Sequence, residues 1–160
     1  MYNTKVMLKV FQIAFLTLFI AIPVAATAKK MPAPVTVQEK TSCAECGMYI
    51  QGEGIKFASE MIFDDGNVKY FCDLGDLFVF YDVHRSKERI AAIYVKDYLS
   101  GEWIEGRSAA YLSGVKITTP MRYGILAFKD VKSAEKFKKE KGGDRVYVFR
   151  YILSSKIFRR

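Results

Sequence analysis

The chain of 160 residues contains a single histidine, His84. That excludes a centre needing several imidazoles from one chain, such as a three-histidine zinc site. It contains three cysteines, which cannot all pair within one molecule, so at least one thiol is free or ligates something. No serine–histidine–aspartate arrangement, glycine-rich phosphate loop or carboxylate pair at a catalytic spacing is present, and the residues give little support to an enzyme. Acidic groups are the minority, 17 against 25 Lys plus Arg, for a formal net charge of +8. With 51% hydrophobic and 26% charged residues the chain is neither a disordered acidic polymer nor a fibre. Its length suits one ordinary domain or two very small ones.

The first 28 residues read as an address. Lys5 and Lys9 precede an uncharged, mostly apolar run over 10–22, and Pro23 leads into Val24–Ala28 with Ala26 and Ala28 in a small-x-small pattern. Basic, apolar and small-residue regions in that order make a secretory signal peptide, cleaved after Ala28. The rival is an uncleaved anchor, but a membrane span wants roughly 20 apolar residues and Pro23 breaks this run early. No cysteine stands near the cleavage site, so a lipidated N-terminus is not available. The expectation is an exported, periplasmic or extracytoplasmic protein. Such a domain meets no genomic DNA, and its basic balance reads as a solvated or membrane-facing surface rather than a nucleic-acid site. Residues 29–40, with Pro32 and Pro34, read as a tether.

Beyond the tether the fold class is α+β, in two similar ββαβ-type halves packed together: 41–97 and 98–153, followed by a basic tail at 154–160. The first half runs from Cys46-Gly47-Met48 through Ile55–Phe57 and Met61–Phe63. It turns at Asp64-Asp65-Gly66, a strong hairpin signal, into a strand at Val68–Phe71. Asp73 caps a helix over Leu74–Val83, and Ala91–Val95 closes as a strand. In the second half a turn at Ser100-Gly101 leads to Trp103-Ile104 and Ala109–Leu112. Thr119-Pro120-Met121 then takes the place held by Cys46-Gly47-Met48. A strand at Gly124–Phe128, an amphipathic helix over Ser133–Lys141 stopped by Gly142-Gly143, and a strand at Arg145–Phe149 complete it. Lys132, Lys136, Lys138, Lys139 and Lys141 read first as a solvated helix face, and second as a docking surface for an acidic partner or anionic lipid.

The chemistry lies in sulfur. Cys43-Ala44-Glu45-Cys46-Gly47-Met48 places two thiols and a thioether within six residues. Thiolates three apart can grip one ion, and Gly47 gives the backbone room to fold round it. A thioether is a poor zinc ligand but suits soft Cu(I). Met121 can face the same ion from the second half. Cys72 lies at a helix start, where a thiol's pKa falls. Three alternatives stay open. The C-x-x-C can be a disulfide or thiol–disulfide redox pair. Cys43, Cys46, Cys72 and His84 can form a structural zinc site. Cys72, Met121 and His84 can also be ordinary core or surface residues.

The sequence resembles the NosL family, accessory proteins of nitrous-oxide reductase maturation. The resemblance rests on Cys43–Met48, on Asp64-Asp65-Gly66-x-Val68-x-Tyr70-Phe71, and on Val95–Tyr98 and Gly101-x-Trp103-Ile104. It continues in Ala110-Tyr111, Pro120-Met121, Gly124-x-Leu126-Ala127-Phe128 and Ala134-Glu135-x-Phe137 with Gly142-Gly143, nearly all of residues 41–148. It implies an exported Cu(I)-binding metallochaperone, not an enzyme, with Cys43, Cys46, Met48 and Met121 as ligands. It also implies delivery of copper to the reductase, with a membrane transporter complex as partner and no small-molecule substrate or nucleic acid. Many members carry a lipidated cysteine at the end of the signal, where this chain has Ala28.

Overall fold

The computed structural model describes residues 30–38, 40–155 and 157–158. The signal-peptide reading of 1–28 lies outside them. No helix among the described residues is long and apolar enough to cross a membrane.

Helix and antiparallel sheet alternate along the chain, in keeping with the α+β reading. Gly52–Phe57 forms a 3-10 turn rather than an extended approach to the first strand. The strands β1 (Ser59–Phe63) and β2 (Val68–Phe71) follow, joined through Asp64–Asn67. There Gly66 takes a φ of 87°, open to glycine without strain, and Asp65 accepts from the Asn67 amide. Helix α1 (Leu74–His84), β3 (Ile90–Lys96) and β4 (Trp103–Glu105) complete the first group. Then come β5 (Ala110–Leu112), β6 (Leu126–Phe128), helix α2 (Val131–Lys141), β7 (Val146–Val148) and helix α3 (Phe149–Ser155).

The strands make two antiparallel sheets, ordered β2-β1-β3-β4 and β6-β5-β7. Each contains a strand–strand–helix–strand run whose first strand ends up central. Two boundaries differ from the sequence reading. Trp103–Glu105 pairs with β3, Val95 opposite Ile104 and Lys96 opposite Trp103, so it extends the first sheet instead of opening the second. Phe149, read as the end of a strand, opens a helix, and Phe158, in the segment read as a basic tail, is fully buried.

Alternation along the strands sorts the side chains. Met61, Phe63, Ile93 and Val95 enter a core that also takes Leu74, Leu77 and Phe78 from α1 and Tyr111, Ala127 and Phe149 from the second group. Phe78 is its hub, with the rings of Tyr111, Phe149 and Phe158 centred 5.1, 5.9 and 5.7 Å away. A second core gathers Leu112, Leu126, Phe128 and Ala134 under α2. Asp97 ties the two sheets. Buried, it accepts from the amides of Ser100 (2.8 Å) and Lys129 (2.9 Å), and a parallel bridge joins it to Ala127.

The other face of the first sheet carries Glu60 between Tyr70 and Tyr94 in the cross-strand register. The segment read as a tether is docked here. The Tyr94 hydroxyl donates to Pro32 O at 2.7 Å, and Val35 N donates to Glu60 Oε1 at 2.8 Å. Glu60 is wholly buried and its Oε2 has no hydrogen-bond partner among the described residues. Burial pushes its carboxyl up to about 7. The unfolded chain ionises this group near 4.5, so the fold gains from the retained proton below that pH and loses the gain as pH rises to 7. Glu60→Gln should therefore melt above the parent at pH 8, with the gap closing near pH 4.5, as scanning calorimetry at the two pH values will read.

Candidate metal centre

Cys43 and Cys46 sit on a small hairpin closed by a bridge between Ser42 and Tyr49. Cys43 N donates to Met48 O at 2.8 Å, Gly47 N returns to Cys43 O at 3.0 Å, and Gly47 has a φ of 77°. Ala44 N donates to Tyr70 O at 2.7 Å, which fastens the hairpin to the end of β2. Two residues on, Cys72 precedes α1, whose cap Asp73 accepts from Gly75 N. Asp76 lies in the first turn of α1, and its carboxylate turns back toward Cys72 just ahead of the cap.

These pieces converge. The Sγ atoms of Cys43, Cys46 and Cys72 and a carboxylate oxygen of Asp76 all lie within 4.8 Å of one another. Cys46 Sγ is 3.5 Å from Cys72 Sγ, and Cys43 and Cys72 each sit 3.3 Å from Asp76 Oδ2. Two sulfurs held tetrahedrally by one ion at ~2.3 Å lie about 3.8 Å apart, so the spacing suits a single bound metal. Cys43, Cys72 and Asp76 are buried, whereas Cys46 is part-exposed. All three thiols are unbonded to one another.

The charges are unequal. The Cys72 thiol donates to Cys43, which, with amides of the Glu45–Cys46 turn and of Cys72, holds Cys43 well below the ordinary thiol range against the effect of burial. Donating to Cys43 raises Cys72 far above that range, and burial raises Cys46. Burial, and then the negative Cys43, push the Asp76 carboxyl up to about 7. The cluster thus favours negative charge at Cys43 and disfavours it at Cys46, Cys72 and Asp76, beside the positive end of α1.

The other residues singled out from sequence stand as follows. Met48 is 47% exposed and contacts Cys43 through its backbone carbonyl. Met121 lies in the β5–β6 connection, whereas Met48 precedes β1, so the two do not hold matching places. Met121 is part-buried and packs against the core that includes Cys43 and Cys72. His84 is outside the cluster: it stacks on Phe80 with ring centroids 3.9 Å apart and meets Glu88 through Nδ1. Asp76 was not singled out by the sequence reading, although an acid in an otherwise apolar first turn, directly after Cys72-Asp73, is a usable signal.

The Met121 loop is seated on α1. Asp73 Oδ2 accepts from Thr119 Oγ1 at 2.6 Å and from Met121 N at 2.8 Å. The Tyr123 ring lies flush on Gly75, where a β-carbon would fall inside it. Gly75→Ala should destabilise the fold by about 1–3 kcal/mol through overpacking, despite the roughly 1 kcal/mol gain in helix propensity. Urea unfolding will measure the loss, and adding Tyr123→Ala should remove the clash.

No match to the chain is found among curated proteins. Among solved structures it is similar to the crystal structure of the copper chaperone NosL from Shewanella denitrificans, with 26% identity and a TM-score of 0.65. That likeness covers 79% of this chain and 99% of the other. The NosL family pattern matches residues 34–157, which takes in both sheets and all four members of the cluster: the chain belongs to the NosL family.

Proposed function

We propose that the protein is an exported metallochaperone, with no catalytic turnover, that carries one Cu(I) and delivers it for assembly of nitrous-oxide reductase or a related copper site. Copper is its cargo. Cys43 and Cys46 are the thiolate ligands, Met48 and Met121 the thioethers, and Cys72 a further sulfur at the same point. One observation carries the reading: three sulfurs lie within 4.8 Å of one another and of Asp76, with one of them at the surface. Thiolate and thioether donors at low coordination number favour Cu(I) over harder ions. A standing thiolate at Cys43 offers an immediate first ligand, and part-exposed Cys46 and exposed Met48 suit transfer to a partner. The kinship with a copper chaperone supports the same cargo. His84 is not one of the four converging donors, and its charge acts on Glu45 between the two cysteines.

The remainder of the proposal follows the sequence. Residues 1–28 act as signal peptide. The recipient protein and its membrane transporter complex are the partners, and the basic surface can meet the membrane. The two ββαβ runs, 41–97 and 98–153 with β4 joining the first sheet, form the two halves of the domain.

Zinc is the second reading, favoured by the oxygen of Asp76, which completes a three-sulfur, one-oxygen set of four donors. Titration of the reduced protein with Cu(I) against a chromophoric chelator separates the two. One equivalent should be held, Cys43→Ser with Cys46→Ser should abolish retention, and zinc should be lost in dialysis without unfolding. Unchanged Cu(I) binding by the double variant overturns the copper site, and zinc that survives purification and collapses the fold on chelation selects the second reading. The raised thiols fix the pH dependence. Cys46 and Cys72 are protonated at neutral pH, so capture releases their protons. Affinity should rise from pH 6 to 8 by up to about tenfold per unit for each proton released, with Cys43, the lowered thiol, contributing least.

A further inference from the structure

We infer that Asp73 is a positioning residue for metal capture, holding the 119–124 loop, and Met121 with it, against the thiol cluster. The inference rests on the copper reading above and deepens it.

A helix N-cap needs one acceptor oxygen, and Asp73 supplies it with Oδ1, 3.2 Å from Gly75 N. Its second oxygen serves nothing in the helix. Oδ2 takes the Thr119 hydroxyl at 2.6 Å and the Met121 amide at 2.8 Å, both from a distant part of the chain. The carboxyl group is 1% exposed and Thr119 equally so. Short bonds to a carboxylate shielded from water are stronger than neutral ones.

The loop is shaped to receive this grip. Thr119 Oγ1, while donating to Asp73, accepts from Gly124 N at 3.3 Å, and Arg122 N donates to Thr119 O at 2.9 Å. The turn between uses positive φ at Arg122 (61°) and Gly124 (63°). Tyr123 rests on Gly75 as a second point of attachment. Both attachments, at Asp73 and Gly75, land between Cys72 and Asp76, so the start of α1 and the residue ahead of its cap hold two members of the cluster and also the seat of the Met121 loop. The carboxylate touches neither sulfur nor metal. It acts by fixing where the Met121 backbone begins, which sets what its thioether can reach.

Removing an outer partner of this kind lowers metal affinity by roughly 10–100-fold. The test is a double-mutant cycle on the reduced full chain, read by Cu(I) competition, with thermal melts confirming that each variant is folded. Asp73→Asn and Thr119→Val should each weaken Cu(I) retention within that range, whereas Thr119→Ser, which keeps the hydroxyl, should stay close to the parent. In a Met121→Leu background the same changes should have almost no further effect, because the group they position is gone. Met121 amide exchange in the metal-free protein gives a second measurement that survives loss of affinity: Thr119→Val should speed it and Thr119→Ser should not. Losses that add to that of Met121→Leu, or a Met121→Leu variant that binds as the parent does, overturn the positioning role and leave the cysteine site standing. A parent that holds no Cu(I) overturns both.

Discussion

The bond from Ala44 N to Tyr70 O, 2.7 Å long, is the constraint on which the site depends. It is one main-chain hydrogen bond, worth about 1 kcal/mol net, but it joins a hairpin that carries two thiols to the strand end that delivers the third. It acts together with the burial of Cys43 and Ile50 in the core that also holds Cys72. With it, the register of β2 against β1 and of β1 against β3 extends to the sulfur atoms. The sheet is therefore the ruler that brings three sulfurs and an oxygen to one point.

The same arrangement explains the charges. A buried cluster of four acids cannot ionise together. Here the protons distribute unevenly, because the Cys72 thiol and then the amides of the turn favour charge on Cys43, while burial holds the proton on Asp76 at the start of the helix. The result is a pocket of low net charge carrying one strong donor. Such a pocket avoids the desolvation of several bare anions while it waits for a cation.

Local signals made much of this legible in the sequence. Asp64-Asp65-Gly66 marked the hairpin, Asp73 the start of α1, and Gly142 the end of α2, because each acts within a few residues of itself. The pairing of Cys43 and Cys46 was equally plain from spacing. What escaped depends on contacts between distant segments. Trp103–Glu105 is three residues long and has no intrinsic reason to prefer one sheet; its register with β3 decides. Asp76 looks like any acid in a first helical turn until the hairpin folds over it. The segment around Pro32 and Val35 has a linker's composition, and only the buried row of Glu60 and Tyr94 shows that it has something to bind. Met48 and Met121 invited a symmetrical reading by their sequence settings, but one precedes a sheet and the other connects two strands within one.

Phe158 has a consequence for how the protein is made. Its ring fills the centre of the core against Phe78, so that core cannot close until residue 158 has left the ribosome. If the first sheet folded before residue 158 emerged, Phe78 would face a vacancy on that side. A truncation before residue 158 would therefore open a cavity beside Phe78 and not merely trim the surface.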